Sequence, residues 1–153
     1  MKKRTSGIAT TILILLLGAM SLPMAANADE GKIHKIVFHV DDNDPARINL
    51  VLNNVSNVNK YYQDKGEPAQ IEVVAYGPGL NMLVEDKTPV KDRIKSISES
   101  FDNVEFKACN NTLKAMTKKA GKNIKLLPQA HMVDSGVIHL IQRQEEGWSY
   151  VRP

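Results

Sequence analysis

Residues 104–113 have the sequence VEFKACNNTL, in which a predicted strand runs directly into a predicted helix. Residues 104–108 mix β-branched, aromatic and small side chains, as a half-buried strand does. Residues 110–112 offer three favourable helix N-cap side chains, and apolar residues then recur at helical spacing until Gly121. Cys109 is the single cysteine of the sequence. It is therefore expected at the positive end of a helix, which lowers the pKa of a thiol and favours the thiolate.

Strands and helices alternate along the rest of the sequence, with short connections between them. The second half of the first strand is continuously apolar apart from His39, which is typical of a central strand in a parallel sheet. Asp44 as N-cap and Pro45 as the first helical residue start the helix that follows. The alternation predicts an α/β fold with a parallel sheet and helices on both faces. The predicted strands are residues 33–40, 70–76, 104–108, 130–133 and 148–151, and the helices begin around residues 45, 89, 110 and 136.

The first 28 residues are predicted to be a secretory signal peptide. Residues 2–4 are basic, residues 8–20 are apolar, and residues 26–28 have the A-x-A form of a cleavage site. The apolar segment is short for a membrane span, although an uncleaved anchor is the alternative. We therefore expect an exported, periplasmic protein with no membrane attachment after cleavage. Residues 29–153 are expected to form a single domain.

The charge of the exported part argues against two classes of partner. The three basic residues of the leader leave with it, so the 20 lysine and arginine residues fall to 17, equal to the 17 aspartate and glutamate residues. A net charge of zero gives no basis for binding nucleic acid or anionic lipid. It does tolerate self-association.

A lone cysteine in an exported protein cannot form a disulfide within its own chain. Cys109 therefore pairs with another chain, remains a buried thiol, or is reactive. The absence of a C-x-x-C sequence excludes a thioredoxin-like dithiol within one chain. If Cys109 is reactive, the amides of residues 111–113 are expected to stabilise its anion.

Four loops are expected at one edge of the sheet, because ligands of open α/β sheets bind at the carboxyl ends of the strands. Residues 77–79, Gly-Pro-Gly, form either a simple turn or a site where backbone amides approach a ligand closely. His39 either stabilises a thiolate of Cys109 or is a hydrogen-bonded residue at a strand end. The four loops are residues 39–42, 76–79, 108–111 and 131–135.

No metal site or cofactor is predicted. Asp41, Asp42 and Asp44 lie close together, but their segment lacks the central glycine and closing glutamate of an EF-hand loop. The four histidines show no metal-ligand spacing, and His139 is expected to be exposed on its helix. The sequence also has no G-x-S-x-G nucleophile motif and no carboxylates paired for glycoside hydrolysis.

Several motifs, taken together and in order, resemble those of DsrE/DsrF-like proteins. The resemblance extends over nearly the whole exported part, from about residue 32 to residue 153. The motifs are IVFHV at residues 36–40, followed by Asp44-Pro45 and NLVLNNV at residues 49–55; EVVAYGPGL at residues 72–80; FKACNNTL at residues 106–113; and GWSYVRP at residues 147–153.

The resemblance implies a three-layer α/β/α fold with a mainly parallel sheet of about five strands, and a homo-oligomer that is a trimer or a doubled trimer. Characterised relatives carry sulfur as a cysteine persulfide, in sulfur oxidation or in transfer-RNA thiolation relays. The sulfur-bearing cysteine of the family matches Cys109. Two departures are evident: many relatives have glycine at the position of Asn110, and the well-known relay proteins are cytoplasmic.

The sequence thus predicts a periplasmic sulfur-binding or sulfur-relay protein that carries sulfane sulfur as a persulfide. Its partners would be sulfur donor and acceptor proteins or small thiols. Such a carrier need not be an enzyme, and if active it would resemble a sulfurtransferase. The alternatives are a non-catalytic oligomeric module that binds a small ligand around a buried structural cysteine, and a disulfide between two chains. The predicted site residues are Cys109 as sulfur carrier, with Gly77, Pro78, Gly79, Asn110, Asn111, Thr112 and His39 as its binding surroundings.

Overall fold

The computed structural model describes residues 32–153, so the predicted signal peptide lies outside the described residues. Within residues 32–153, five strands and four α-helices alternate, with a 3₁₀ helix after the second strand. The elements are β1 (His34–Val40), α1 (Pro45–Lys65), β2 (Ala69–Ala75), the 3₁₀ helix (Gly77–Leu83), α2 (Lys91–Ser100), β3 (Val104–Cys109), α3 (Asn110–Ala120), β4 (Ala130–Val133), α4 (Gly136–Glu145) and β5 (Ser149–Val151).

The five described strands form one parallel sheet in the order β4-β3-β2-β1-β5. The register pairs Val40 with Ala75 and Ala75 with Ala108. The carboxyl ends of β1, β2 and β3 therefore lie side by side. On the other side of β1, Tyr150 of β5 pairs with Val37. The α/β class predicted from the sequence is confirmed, and the described sheet is entirely parallel.

The main core lies between one face of the sheet and the helices α1 and α2. Alternate residues of β1, beginning with Ile36, point to this face, and Phe38 and Phe106 are among its largest fully buried side chains. Burial of each such side chain contributes roughly 1.5–3 kcal/mol. From the helices, the core receives Ile48, Val51, Leu52, Val55, Ile94 and Ile97.

Helix α4 covers the opposite face of the sheet. Val37 and Val74, which alternate with the residues of the main core, pack there against Leu140 and Trp148. Helices therefore lie on both faces, and the fold has three layers. In contrast, α3 has no fully buried residue. Its Leu113 and Met116 are only partly buried where they pack against the main core.

A buried carboxylate lies under α4. The side chain of Glu72 is 4% exposed, and Arg143 donates two hydrogen bonds of 2.9 Å to its two oxygens. His139 Nε2 lies 2.6 Å from Glu72 Oε2, and Lys107 Nζ lies 3.7 Å from Oε1. The prediction that His139 is exposed is therefore wrong. Its polar neighbours in sequence concealed that it faces a buried acid on the sheet.

The predicted helix starts agree with the structure at α1 and differ slightly at α2. Asp44 is the N-cap of α1 and accepts a hydrogen bond from the amide of Ala46. Helix α2 begins at Lys91 rather than near residue 89. The hydroxyl of Thr88 accepts a hydrogen bond from the amide of Val90, and this local turn delays the helix by two residues.

Candidate functional site

Cys109 is both the last residue of β3 and the N-cap of α3. Its backbone is extended, with φ −71° and ψ 114°, and its Sγ accepts a hydrogen bond from the amide of Thr112 at 3.4 Å. The sequence favoured residues 110–112 as the cap, which is wrong. Because the strand passes into the helix with no intervening residue, its final residue occupies the cap position. The thiol itself therefore satisfies one of the amides that a helix N-terminus leaves free.

The pKa of the Cys109 thiol is lowered, although the residue is buried. Burial alone would raise this pKa, but the Thr112 side chain and nearby backbone amides favour the thiolate and outweigh it. Among these amides, that of Thr112 donates the observed hydrogen bond to the sulfur. The others belong to Gly136 and Asn111, and the Asn111 amide donates to the carbonyl oxygen of Asp134 at 3.2 Å. The Cys109 side chain also lies outside both clusters of packed core residues.

The amide of Gly136 reaches Cys109 because β4 lies beside β3 and leads directly into α4. Gly136 is the first residue of α4, so two helix N-termini converge on one sulfur. A Cβ atom at Gly136 would lie 2.9 Å from the Cβ of Tyr76, which is too close for any real contact. Only glycine therefore lets α4 begin at this distance from the sheet.

Thr112 connects the sulfur to the loop that begins at Gly77. The amide of Gly77 donates a hydrogen bond of 3.0 Å to Thr112 Oγ1. The backbone amide of the same residue donates to the sulfur of Cys109, so Thr112 joins the loop to the sulfur site. Gly77 has a φ of 52°, a left-handed conformation that favours glycine.

The other predicted site residues occupy different positions around this edge of the sheet. Pro78 and Asn111 line a groove between α3 and the 3₁₀ helix. Asn110 is the first residue of α3. Gly79 is buried, and a Cβ atom there would lie 2.3 Å from the carbonyl oxygen of Val40. Gly79 therefore allows two loops to pack closely, and it does not line the groove.

His39 belongs to a neighbouring cluster at the same edge of the sheet. Its Nδ1 lies 2.6 Å from the hydroxyl of Tyr150, and its Nε2 lies 3.7 Å from Asp41. Its ring stacks on Tyr76, with ring centroids 4.7 Å apart. Burial lowers the pKa of His39, Asp41 opposes this, and Arg152 reinforces it. The side chain is thus a neutral, hydrogen-bonded imidazole.

Tyr76 lies between the Cys109 site and the His39 cluster, and sequence analysis missed it. Burial is the main reason why its pKa is raised, and the negative charges of Asp41, Tyr150 and Cys109 add to the effect. The register could have identified this residue, because Tyr76 follows Ala75 just as Cys109 follows Ala108. The proximity of Gly136 to Cys109 could have been predicted only from the order of the strands in the sheet.

Cys109 is 4% exposed in the described chain. The starts of α3 and α4 and the side chain of Tyr76 are its polar neighbours. The described residues contain no group of three histidine, cysteine or acidic side chains that would hold a metal ion.

A groove of about 780 Å³ adjoins the site. It lies between α3 and the loop that follows β2, and Gly77 and Thr112 belong both to its wall and to the hydrogen-bonded chain that ends at Cys109. This groove, called the α3 groove below, is lined by Gly77, Pro78, Asn81, Lys87, Asn111, Thr112, Ala115, Met116, Lys119, Ala120 and Ile124. None of the helices in the described part of the chain has the length and apolar character needed to cross a membrane.

Comparison with known proteins agrees with this fold. The model of the DsrE/DsrF-like family matches residues 33–153. Among solved structures, MTH1491 from Methanobacterium thermoautotrophicum, described as a protein of unknown function, is 37% identical. That match covers 78% of this chain and 99% of MTH1491, with a TM-score of 0.66. A search of curated proteins found no match.

Proposed function

The chain belongs to the DsrE/DsrF-like family, and we propose that it is a sulfur-relay protein that carries sulfane sulfur as a persulfide on Cys109. The observation that supports this most directly is the set of hydrogen-bond donors around the sulfur. The amide of Thr112 donates a hydrogen bond to the sulfur, and the Thr112 side chain and the amides of Gly136 and Asn111 also contribute to its lowered pKa. A thiolate is the nucleophilic form of cysteine.

The proposed reaction has two steps, both of which conserve atoms and electrons. The thiolate of Cys109 attacks the outer sulfur of a donor R–S–SH, the donor S–S bond breaks, and R–S⁻ leaves with the electron pair. Cys109 then holds the persulfide, and an acceptor thiolate removes its outer sulfur in the same way. Cys109 leaves that second step as a thiolate, which the same donors stabilise.

Location and assembly are parts of the proposal that rest on the sequence. The protein is proposed to be exported to the periplasm by residues 1–28 and to act as a homo-oligomer. Four large apolar side chains that are exposed on β4 and α4 support self-association. They are Met132, Val137, Ile138 and Ile141, each between 45% and 50% exposed.

Mass spectrometry of the intact protein tests the proposal. After incubation with polysulfide or thiosulfate, the protein is expected to gain the mass of one sulfur atom, and a reductant should remove it. The variant Cys109→Ser, which has no thiol, is the control and should gain nothing. Failure of the natural protein to gain sulfur from any of these donors would contradict persulfide carriage.

One observation favours a second candidate function. Because Cys109 is 4% exposed, the protein could be a small-ligand-binding module in which the cysteine is only packed. The rate of reaction with a thiol reagent distinguishes the two functions. A carrier reacts in the folded state with a low apparent pKa, whereas a packed cysteine reacts only after denaturation.

A further inference from the structure

The α3 groove has an apolar lining on the side formed by helix α3. Ala115, Met116 and Ala120 lie along the helix, and Pro78 and Ile124 complete the apolar surface. Its volume of about 780 Å³ falls within the range of sites for small organic molecules. The groove therefore suits a ligand with an apolar body rather than an inorganic ion alone.

The charged groups of the α3 groove are all positive. Lys87 and Lys119 line it, and no aspartate or glutamate belongs to its lining. Among residues 32–153, no carboxylate lies within ion-pair distance of either lysine. Glu85, which is close to Lys87 in sequence, pairs with Lys91 instead. The two ammonium groups are therefore free to attract an anionic group of a ligand.

Asn81 adds an unusual polar atom to the same groove. Its Nδ2 donates a hydrogen bond of 3.1 Å to the carbonyl oxygen of Pro78. Its Oδ1 is buried and accepts no hydrogen bond from the described residues. A buried acceptor in this state favours a ligand that offers a hydrogen-bond donor.

The wall of the groove is also the wall of the sulfur site. Gly77 and Thr112 line the groove, their mutual hydrogen bond is 3.0 Å long, and Thr112 in turn donates to Cys109. A ligand in the groove therefore contacts Thr112, the residue whose amide donates to the sulfur.

Resting on the proposed function, we infer that the α3 groove binds the organic part of the sulfur donor, and that this donor is a small persulfide with an apolar body and an anionic group. The apolar body lies against α3, and the anionic group lies near Lys87 and Lys119. The terminal sulfur faces Thr112 and Cys109. The thiolate of Cys109 takes the outer sulfur, and the donor leaves as an organic thiolate that the lysines also attract.

Binding is tested without any sulfur transfer, using the protein Cys109→Ser. The probe is para-(methylthio)phenylacetate, which has an apolar ring and a carboxylate. Its methyl ester, which is neutral and adds no hydrogen-bond donor, is the comparison. We expect saturable shifts of the NMR amide signals along α3, and at least about threefold weaker binding of the ester. The change Lys119→Glu should weaken binding of the carboxylate by at least about threefold, because it replaces an attraction by a repulsion. Lys118→Glu alters the same charge one residue away, outside the groove, and should leave binding unchanged.

Sulfur transfer is tested with two donors and the natural cysteine. The persulfide of para-mercaptophenylacetate should load Cys109 at least about threefold faster than the persulfide of its methyl ester, which is neutral and has a leaving thiolate of closely similar basicity. Ala115 is exposed, so Ala115→Trp fills the groove without entering the core, and it should abolish the difference between donors. Lys114→Trp is the matched control outside the groove.

The outcomes separate this inference from the proposed function. Equal loading by both donors, unaffected by Lys119→Glu, would overturn the donor class while persulfide carriage stands. Saturable binding in the groove without any loading of Cys109 would overturn persulfide carriage. If the NMR amide signals of groove residues instead respond to dilution of the protein and not to the probe, the occupant of the groove is a second copy of the chain. That result would also overturn the inference.

Discussion

At the scale of single residues, the thiol of Cys109 owes its environment to neutral groups. The nearest donors are a hydroxyl and backbone amides, and no lysine or arginine is among the causes of its lowered pKa. Such neutral donors stabilise a thiolate without a positively charged side chain. A positive charge would also attract the anionic persulfide and retain it. Release of the outer sulfur to an acceptor is therefore not opposed by an ion pair.

Replacing Thr112 by valine tests the role of its hydroxyl. Thr112→Val keeps the shape of the side chain but removes the donor to Cys109. The Thr112 side chain is among the causes that lower the pKa of Cys109, so we expect this pKa to rise in the variant. Ultraviolet absorbance of the thiolate, followed against pH, measures the shift.

The matched control for this prediction is Thr112→Ser, which retains the hydroxyl and should leave the pKa close to that of the natural protein. Thiolate absorbance is independent of any sulfur donor. An unchanged pKa in the valine variant, with the fold intact by circular dichroism, would assign the stabilisation to the backbone amides alone.

At the scale of elements, the structure separates what local sequence determines from what it does not. Every predicted strand boundary lies within one residue of the observed one, because apolar runs and turn residues are local signals. The order of strands in the sheet is a long-range property, and it alone brings the amide of Gly136 to Cys109. The burial of His139 was mispredicted for a similar reason, since its partner Glu72 lies in a strand 67 residues earlier.

The buried carboxylate under α4 leads to a prediction about stability. Glu72→Gln removes the buried carboxylate that binds Arg143, while Arg143 keeps its pair with Glu146. We therefore expect a loss of stability below the about 3–5 kcal/mol that follows when a fully buried charge loses its only partner. Unfolding by urea at neutral pH measures the loss. Glu105→Gln is the control, because Glu105 is half exposed and its pair with Lys107 should contribute less than about 1 kcal/mol.

The pH dependence of this effect has a definite sign. Burial by itself would raise the pKa of Glu72, but hydrogen bonds from Arg143 and His139 outweigh it, and the pKa is lowered. The stabilisation is therefore fully present above the ordinary carboxyl pKa and is lost as pH falls through the lowered pKa of the folded state. The difference between the natural protein and Glu72→Gln should shrink in acid. A constant difference across that range would show that packing, not charge, is responsible.

At the scale of the whole molecule, the distribution of apolar surface is uneven. The face of the sheet under α1 and α2 is a continuous core, whereas the face under α4 has a small cluster of four buried apolar residues. Around α4, Val137, Ile138 and Ile141 remain about half exposed. Contiguous exposed apolar side chains mark an interaction surface, and this one adjoins Gly136, whose amide contacts the sulfur. An assembly formed through α4 would therefore affect access to Cys109.

The final prediction concerns this assembly. Ile138→Lys places a charge within the exposed apolar surface of α4, and we expect the proposed homo-oligomer to dissociate into smaller species because burial of an unpaired charge is unfavourable. Light scattering coupled to gel filtration measures the mass. Asn57→Lys introduces the same charge at an exposed polar position of α1, on the opposite side of the sheet, and should leave the assembly intact. Because Gly136 begins α4, dissociation should also change the rate at which a thiol reagent modifies Cys109. A natural protein that is monomeric, or an Ile138→Lys variant of unchanged mass, would show that the surface of α4 does not join copies of the chain.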